Sequence, residues 1–368
     1  MATETTKPVT SGNNFDFLRF FLAVLVIFSH SFPLLSGSKL SEPLYRATAG
    51  QVETGALAVD GFFVISGFLI AQSWVRGRGM GNFVKKRFLR IYPGFAVALL
   101  FCIFAVGPLA GANLSVYFRD PATWRFFWAP LLLWKVQFNL PGTFSHNPFA
   151  GTVNGSLWTI PYELKCYVLV AVLGLLGLYR RRVAVLVLFA AVFAFYNAEP
   201  YLHIRHFHAL LDRDYLPRLV TYYLAGMTAY FYQDKLVHSR WLAGVSLVAL
   251  AVTLHHGLSL TLPLFGTYLL LYAAFSRTLK VQSFGRHGDI SYGLYLYAFP
   301  VQQLLVMRWQ HSLMPPTLFL LALPCTCLLA VASWQWIERP FLKLARHTRS
   351  LAVDAAPTNT DAVLTPMP

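Results

Sequence analysis

The sequence predicts an all-α membrane protein, a polytopic bundle of about ten transmembrane helices with both termini on the cytoplasmic side. Three observations lead there. Of 368 residues, 56% are hydrophobic and only 12% charged, about half the ~25% charged share of a soluble domain. The apolar residues come in long runs separated by short basic clusters, as in helices that satisfy their own backbone in lipid. Aromatic residues make up 16%, and Trp and Tyr favour the headgroup zones of a bilayer. The net charge of +15 would point to nucleic acid in a soluble chain. Here the basic residues sit mostly between the apolar runs, and no Arg/Lys stripe has interleaved aromatics. Membrane topology accounts for the charge, and nucleic acid is not an expected partner.

Ten segments read as spans: 15–35, 56–75, 87–110, 155–178, 183–197, 215–232, 241–255, 259–276, 290–308 and 317–337. Several fall short of the roughly 20 residues a span needs, which implies tilt or kinks. Residues 122–138 are apolar but interrupted by Arg125, Pro130 and Lys135, and read as an interfacial or re-entrant piece. Residues 1–14 form a polar cytoplasmic tail; no small-residue cleavage site follows the first apolar run, so that run is a retained helix. The membrane domain extends over 15–341. Residues 342–368 form a cytoplasmic tail that ends rich in Ala, Thr and Pro and reads as disordered. With the N-terminus inside, the cytoplasmic segments hold 19 Lys and Arg and the outer segments nine, which favours that orientation.

The four cysteines (Cys102, Cys166, Cys325, Cys327) lie in apolar runs without metal-ligand spacing and read as packing residues. His203, His206 and His208 fall in an outer loop with no acidic or cysteine partner, so no metal site is expected.

Charged side chains in a span cost roughly 2.5–3.5 kcal/mol each on insertion scales, so each is a candidate functional residue. Arg19 and His30 share the first span, about 16 Å apart along its axis and near one face. His30 is a candidate general base toward the outer side, or a helix-end histidine at the headgroups. Glu163 and Lys165 lie in "GSLWTIPYELKCY", Glu163 at a depth similar to His30. Its carboxylate would orient the imidazole, or else belong to a structural ion pair. Ser66 and Gly67 sit in mid-span, where small residues admit a ligand or a close helix contact. Asp60, at the outer end of that span, is within possible range of His30. Arg87 and Arg90, at i and i+3, share one face at the cytoplasmic mouth of the third span. That pair suits a phosphate or pyrophosphate, or simply the positive-inside pattern.

Taken in order, these pieces resemble the acyltransferase-3 family of integral membrane O-acyltransferases, from about Asn14 to Phe341. The landmarks are Arg19-x10-His30, "GFFVISGFLI", the Arg-x-x-Arg of "KRFLRIYP", "GSLWTIPYELKCY" around Trp158 and Glu163, "ISYGLYLYAFPV", and "WQWIERPF" with Glu338 and Arg339. Each is short; six in family order are specific. Ala298 stands where many relatives carry histidine, and Thr159 and Pro161 also depart from the common pattern.

The resemblance implies transfer of an acyl group, usually acetyl, from cytoplasmic acyl-CoA to a hydroxyl of a carbohydrate. The donor is a substrate, and no permanently bound cofactor is implied. The acceptor would be a glycan or lipid-linked glycan: exported polysaccharide, lipopolysaccharide or signalling oligosaccharide. The location implied is a bacterial cytoplasmic (inner) membrane. His30 matches the proposed catalytic histidine, with Glu163 as its support; Arg87 and Arg90 match the arginines that engage the donor. Arg19, Asp60, Ser66 and Trp158 would line or support the substrate path. The rival classes are a transporter or flippase of a lipid-linked sugar, although no internal repeat is visible, and a membrane scaffold whose buried charges only specify packing.

Overall fold

The computed structural model describes residues 13–77, 79–132, 136–201 and 215–344. Most of the N-terminal tail, Arg78, Lys135, the His203–His208 loop and the tail beyond residue 344 lie outside the described residues. A helix occupies each of the ten expected segments: α1 (Phe15–Ser36), α2 (Thr54–Val75), α3 (Met80–Leu109), α5 (Ile160–Leu175), α6 (Arg182–Ala198), α7 (Leu216–Phe231), α8 (Arg240–Val252), α9 (Leu258–Ala274), α10 (Ser291–Trp309) and α11 (Pro315–Leu344). α4 (Pro121–Leu131) fills the interrupted segment. Its 11 residues span only about 16 Å, roughly half of a hydrocarbon core.

Five helical stretches are long and apolar enough to cross a membrane: α1, α2, α3, Gly155–Leu175 and α11. α6, α8 and α9 are shorter apolar helices. The chain is therefore a helical membrane protein. The five long stretches carry the membrane assignment by themselves.

α2 lies at the centre and is buried on several faces. Its tightest neighbour is α7. A Cβ on Gly67 would stand 1.9 Å from the Tyr223 carbonyl oxygen, and one on Gly226 the same distance from the Val64 carbonyl oxygen. The two glycines thus let two backbones touch reciprocally, as small residues do between membrane helices. Asp60 and Arg218 add a buried ion pair across the same interface at 2.9 Å.

Proline sites in the helices receive local compensation. Pro300 removes the N–H that would bond the Leu296 carbonyl. Asn154, which caps the 3-10 turn Gly155–Thr159 ahead of α5, donates its Nδ2 to that carbonyl at 2.8 Å. The wound turn Cys102–Val106 of α3 is a π segment; the Tyr117 hydroxyl donates to the Ile103 carbonyl there at 3.0 Å. Pro161 sits in the first turn of α5, where its missing N–H costs nothing, so it starts that helix and leaves it straight.

Asn14 ties α1 to the end of α9, donating from Nδ2 to the Ala273 and Ser276 carbonyls at 2.9 Å each. At the opposite end, buried Glu42 caps two helix starts. It accepts from Tyr45 N at 2.6 Å and from Thr54 Oγ1 at 2.5 Å, placing a carboxylate where exposed N–H groups want one. The starts of α1, α3 and α10 and the ends of α2, α7 and α11 thereby gather at one end of the bundle.

Candidate active site

That end holds a cavity of about 1120 Å³. Its mouth is basic: exposed Arg76 and Lys85 and half-buried Lys86 and Arg87 line it. Deeper, Arg19 and Arg90 face Glu163, and the walls are Ser66, Tyr167, Tyr292 and Tyr295. Several of these come from spans that are distant in sequence, so only the folded bundle assembles them.

Arg87 and Arg90 both line the cavity. Their partners differ. Arg90 Nη2 donates to Asp289 Oδ2 at 2.5 Å, and Arg19 Nη1 donates to the same oxygen at 2.6 Å. Arg19 also bonds Asp16 at 3.2 Å, one turn back on α1. Asp289 Oδ1 accepts from the Ser291 backbone N–H at 3.2 Å and from the Ser291 hydroxyl. Burial would raise the Asp289 carboxyl, but Arg19 first, then Arg90 and Ser291, outweigh it and hold it well below the usual carboxylate range. Arg87 stands over the Tyr167 ring at 5.8 Å. Its Nε is buried without a hydrogen-bond partner among the described residues.

Glu163 accepts a hydrogen bond from the Tyr167 hydroxyl one turn further along α5. Arg90, Arg87 and Arg19 all lie close enough to act on its charge. Thr159 shares a 2.8 Å hydrogen bond with the Tyr295 hydroxyl. Ser66 presents its side chain to the cavity between these groups.

His30 is elsewhere on α1. It is half-buried, edge-on to Phe299 with ring centroids 5.2 Å apart, and its Nδ1 has no partner among the described residues. It does not line the cavity. Gly55 of α2 abuts Ser29, and Gly61 abuts Leu22, which fixes the relative depth of the two helices. Tyr295, a lining residue of the cavity, precedes Phe299 by one turn of α10, so the lining stops about one turn, ~6 Å, short of the ring that His30 packs against. The structure brings Arg19, Ser66, Arg87, Arg90 and Glu163 together and leaves His30 one turn beyond them.

Two other expected site residues have different company. Asp60 is engaged by Arg218, Nε to Oδ1 at 3.0 Å and Nη2 to Oδ2 at 2.9 Å. Trp158 stands against Tyr215 with ring centroids 4.3 Å apart, outside the cavity lining. Residues that sequence reasoning missed include Asp289, Tyr167 and Arg218. Asp289 lies in a short polar connection and carried no period or motif of its own.

Comparison with known proteins agrees with the landmarks. A family described as "Acyltransferase domain" matches residues 13–335. The chain is 28% identical over 360 residues to "Nodulation protein 10" of Rhizobium leguminosarum bv. viciae, covering 90% of this chain and 94% of that protein. It is 26% identical over 356 residues to "O-acetyl transferase" of Shigella phage Sf6, covering 93% and 99%. A shorter match, 29% over 147 residues, reaches "Regulator of hypoxia-inducible factor 1" of Caenorhabditis elegans, with 38% of this chain and 27% of that protein aligned. No solved structure matches. With the family match running through nearly every described helix, the chain belongs to the acyltransferase-3 family.

Proposed function

We propose that the protein is a membrane O-acyltransferase that moves an acyl group, acetyl by preference, from cytoplasmic acyl-CoA to a hydroxyl of a glycan or lipid-linked glycan, in a bacterial inner membrane. The observation that carries this reading is the basic-mouthed cavity narrowing to hydroxyl and carboxylate groups one turn from His30. A polyphosphate donor needs cations at the mouth. A thioester arm needs a deep, partly apolar channel, and Phe62, Leu69 and Ile91 supply apolar wall. A phage-encoded relative called an O-acetyl transferase, aligned over nearly its whole length, supports the acetyl group and the oxygen acceptor.

In the proposed reaction the donor enters from the cytoplasmic end with its phosphates on the basic mouth. The acceptor hydroxyl reaches the imidazole from the outer side. His30 takes the hydroxyl proton as the oxygen attacks the thioester carbonyl. The tetrahedral intermediate collapses, the carbon–sulfur bond breaks, and the imidazolium returns the proton to the departing CoA thiolate. The carbonyl must travel the last turn of α10, from Tyr295 to Phe299, to meet His30. Glu163, bonded by Tyr167 and surrounded by arginines, serves the donor side of this path.

The test uses membranes containing wild type or His30→Ala, supplied with radiolabelled acetyl-CoA and extracted for glycan and lipid-linked fractions. Base-labile label in a glycan fraction that falls by about 10²-fold or more in His30→Ala is the expected result. Intact donor with no label in any fraction would overturn acetyl-CoA as the donor, and the same result with other acyl-CoA donors would overturn the reading in favour of the transporter class.

A further inference from the structure

We propose that Arg87 and Arg90 divide the donor site between them: Arg87 anchors a phosphate of the donor, and Arg90, clamped by Asp289, is a positioning residue that fixes α3 against α1 and α10. This rests on the acyl-CoA reading above. It departs from treating the two as one phosphate-binding pair.

Arg90 Nη2 is already committed to Asp289. Asp289 Oδ2 accepts from Arg90 at 2.5 Å and from Arg19 at 2.6 Å, while Oδ1 is taken by Ser291. The three side chains are mostly buried, Asp289 11% exposed and the two arginines 22% and 21%. A second carboxylate, Glu338 near the end of α11, is buried and close enough to Arg90 to act on its charge. On α3 itself, Gly94 leaves the space that Tyr292 and Glu338 occupy beside Arg90: a Cβ there would meet them at 3.0 Å and 3.4 Å. Tyr292 in turn donates to the Ile91 carbonyl at 3.0 Å. Three helices thus converge on one turn of α3. A phosphate taking Arg90 Nη2 would have to displace Asp289 and leave a buried carboxylate short of a counter-ion, a costly exchange in a low dielectric.

Arg87 is held by no such clamp, although Glu163 lies close enough for its charge to reach it. It lies one turn nearer the start of α3, which forms the rim through Gly81 and Lys85. Among the described residues it makes no ion pair, and its Nε is buried without a partner. The Tyr167 ring supports the guanidinium from below at 5.8 Å, so the fork is held in place while its hydrogen-bonding edge stays available to an anion.

The experiment uses full-length protein in nanodiscs with three probes: CoA, acetyl-CoA, and acetyl-pantetheine, which carries the thioester but no phosphate. Arg87→Gln is expected to raise the Kd for CoA and the KM for acetyl-CoA by about ten- to a hundredfold, and to lower turnover of acetyl-pantetheine far less than that of acetyl-CoA. Arg90→Gln is expected to lower turnover of both thioesters alike, with the Kd for CoA within about threefold of wild type. Asp289→Asn should reproduce Arg90→Gln, the double variant should be no worse than either single one, and Arg90→Lys should recover part of the turnover. If Arg90→Gln does not fold, Asp289→Asn and Arg90→Lys carry the same comparison. Equal losses of CoA affinity in Arg87→Gln and Arg90→Gln would overturn the division while leaving acyl-CoA as donor. A wild type that binds no CoA would overturn the donor assignment and this proposal with it.

Discussion

Asp60 and Arg218 meet side-on, both carboxylate oxygens engaged, at 3.0 Å and 2.9 Å. Arg218 Nη2 also donates to the Ala56 carbonyl at 3.0 Å. The pair therefore joins the halves of α2 and α7 away from the basic mouth of the cavity while the Gly67 and Gly226 contacts hold their middles. Removing one partner strands the other in a poorly solvated place, which costs about 3–5 kcal/mol. Asp60→Ala should lower the thermal unfolding midpoint of the detergent-solubilised protein sharply. Asp60→Leu with Arg218→Met should restore most of it. A double variant that is stable yet inactive would instead place the pair on the acceptor path.

The reciprocal glycine contact makes a sharper demand. Gly67→Ala puts a methyl where the Tyr223 carbonyl oxygen stands, and Gly226→Ala does the same against Val64. Backbone cannot swing aside as a side chain can, so α2 and α7 must part. Overpacking of this kind costs about 1–3 kcal/mol, and here the Asp60–Arg218 geometry is lost with it. Gly81→Ala serves as the control, because nothing stands within 4 Å of its would-be Cβ. Thermal scans should rank Gly67→Ala and Gly226→Ala well below wild type and leave Gly81→Ala beside it.

Much of this architecture was legible before the coordinates. A helix forms in each of the ten apolar segments, and five of the helical stretches are long and apolar enough to cross a membrane, where a helix satisfies its own backbone. The shared face of Arg87 and Arg90 followed from their spacing alone. What escaped was pairing over distance. Asp289 meets Arg19 across 270 residues and Arg90 across 199, and no local period encodes such a partnership. Arg218 counted as an outer-loop charge because it sits two residues into α7, yet the chain turns it inward to Asp60. Glu163, expected at the depth of His30, lies instead among the arginines of the cavity. That the cavity would end a turn below His30 depends on how α2 and α5 pack, which the sequence does not display.

Tyr167 joins the two sides of the donor path, donating to Glu163 while its ring lies beneath Arg87. The two contacts can be separated. Tyr167→Phe keeps the ring and removes the hydroxyl. On the proposed reaction it should retain the KM for acetyl-CoA and lower kcat about tenfold, the worth of one hydrogen bond to a charged group. Tyr167→Leu removes both and should also raise KM. A Phe variant whose KM rises as much as that of the Leu variant would show that Glu163 acts mainly by holding the donor.

The Asp289 clamp carries a pH signature whose sign follows from its surroundings. Burial opposes ionisation, but Arg19, Arg90 and Ser291 win, so the carboxyl in the folded protein lies below its unfolded value. A depressed carboxylate contributes its stability in full above the unfolded pKa of about 3.9 and loses it as pH falls below that. Asp289→Asn should therefore be less stable than wild type by a nearly constant amount from pH 8 to pH 5, of order 3 kcal/mol for a mostly buried pair. Below about pH 4 the gap should narrow, as the unfolded wild-type chain takes up a proton that the folded carboxylate does not. Comparing the two proteins removes the titration of every other group common to both. A gap that widened in acid, or closed already at pH 6, would mean that Asp289 is not ionised between the arginines.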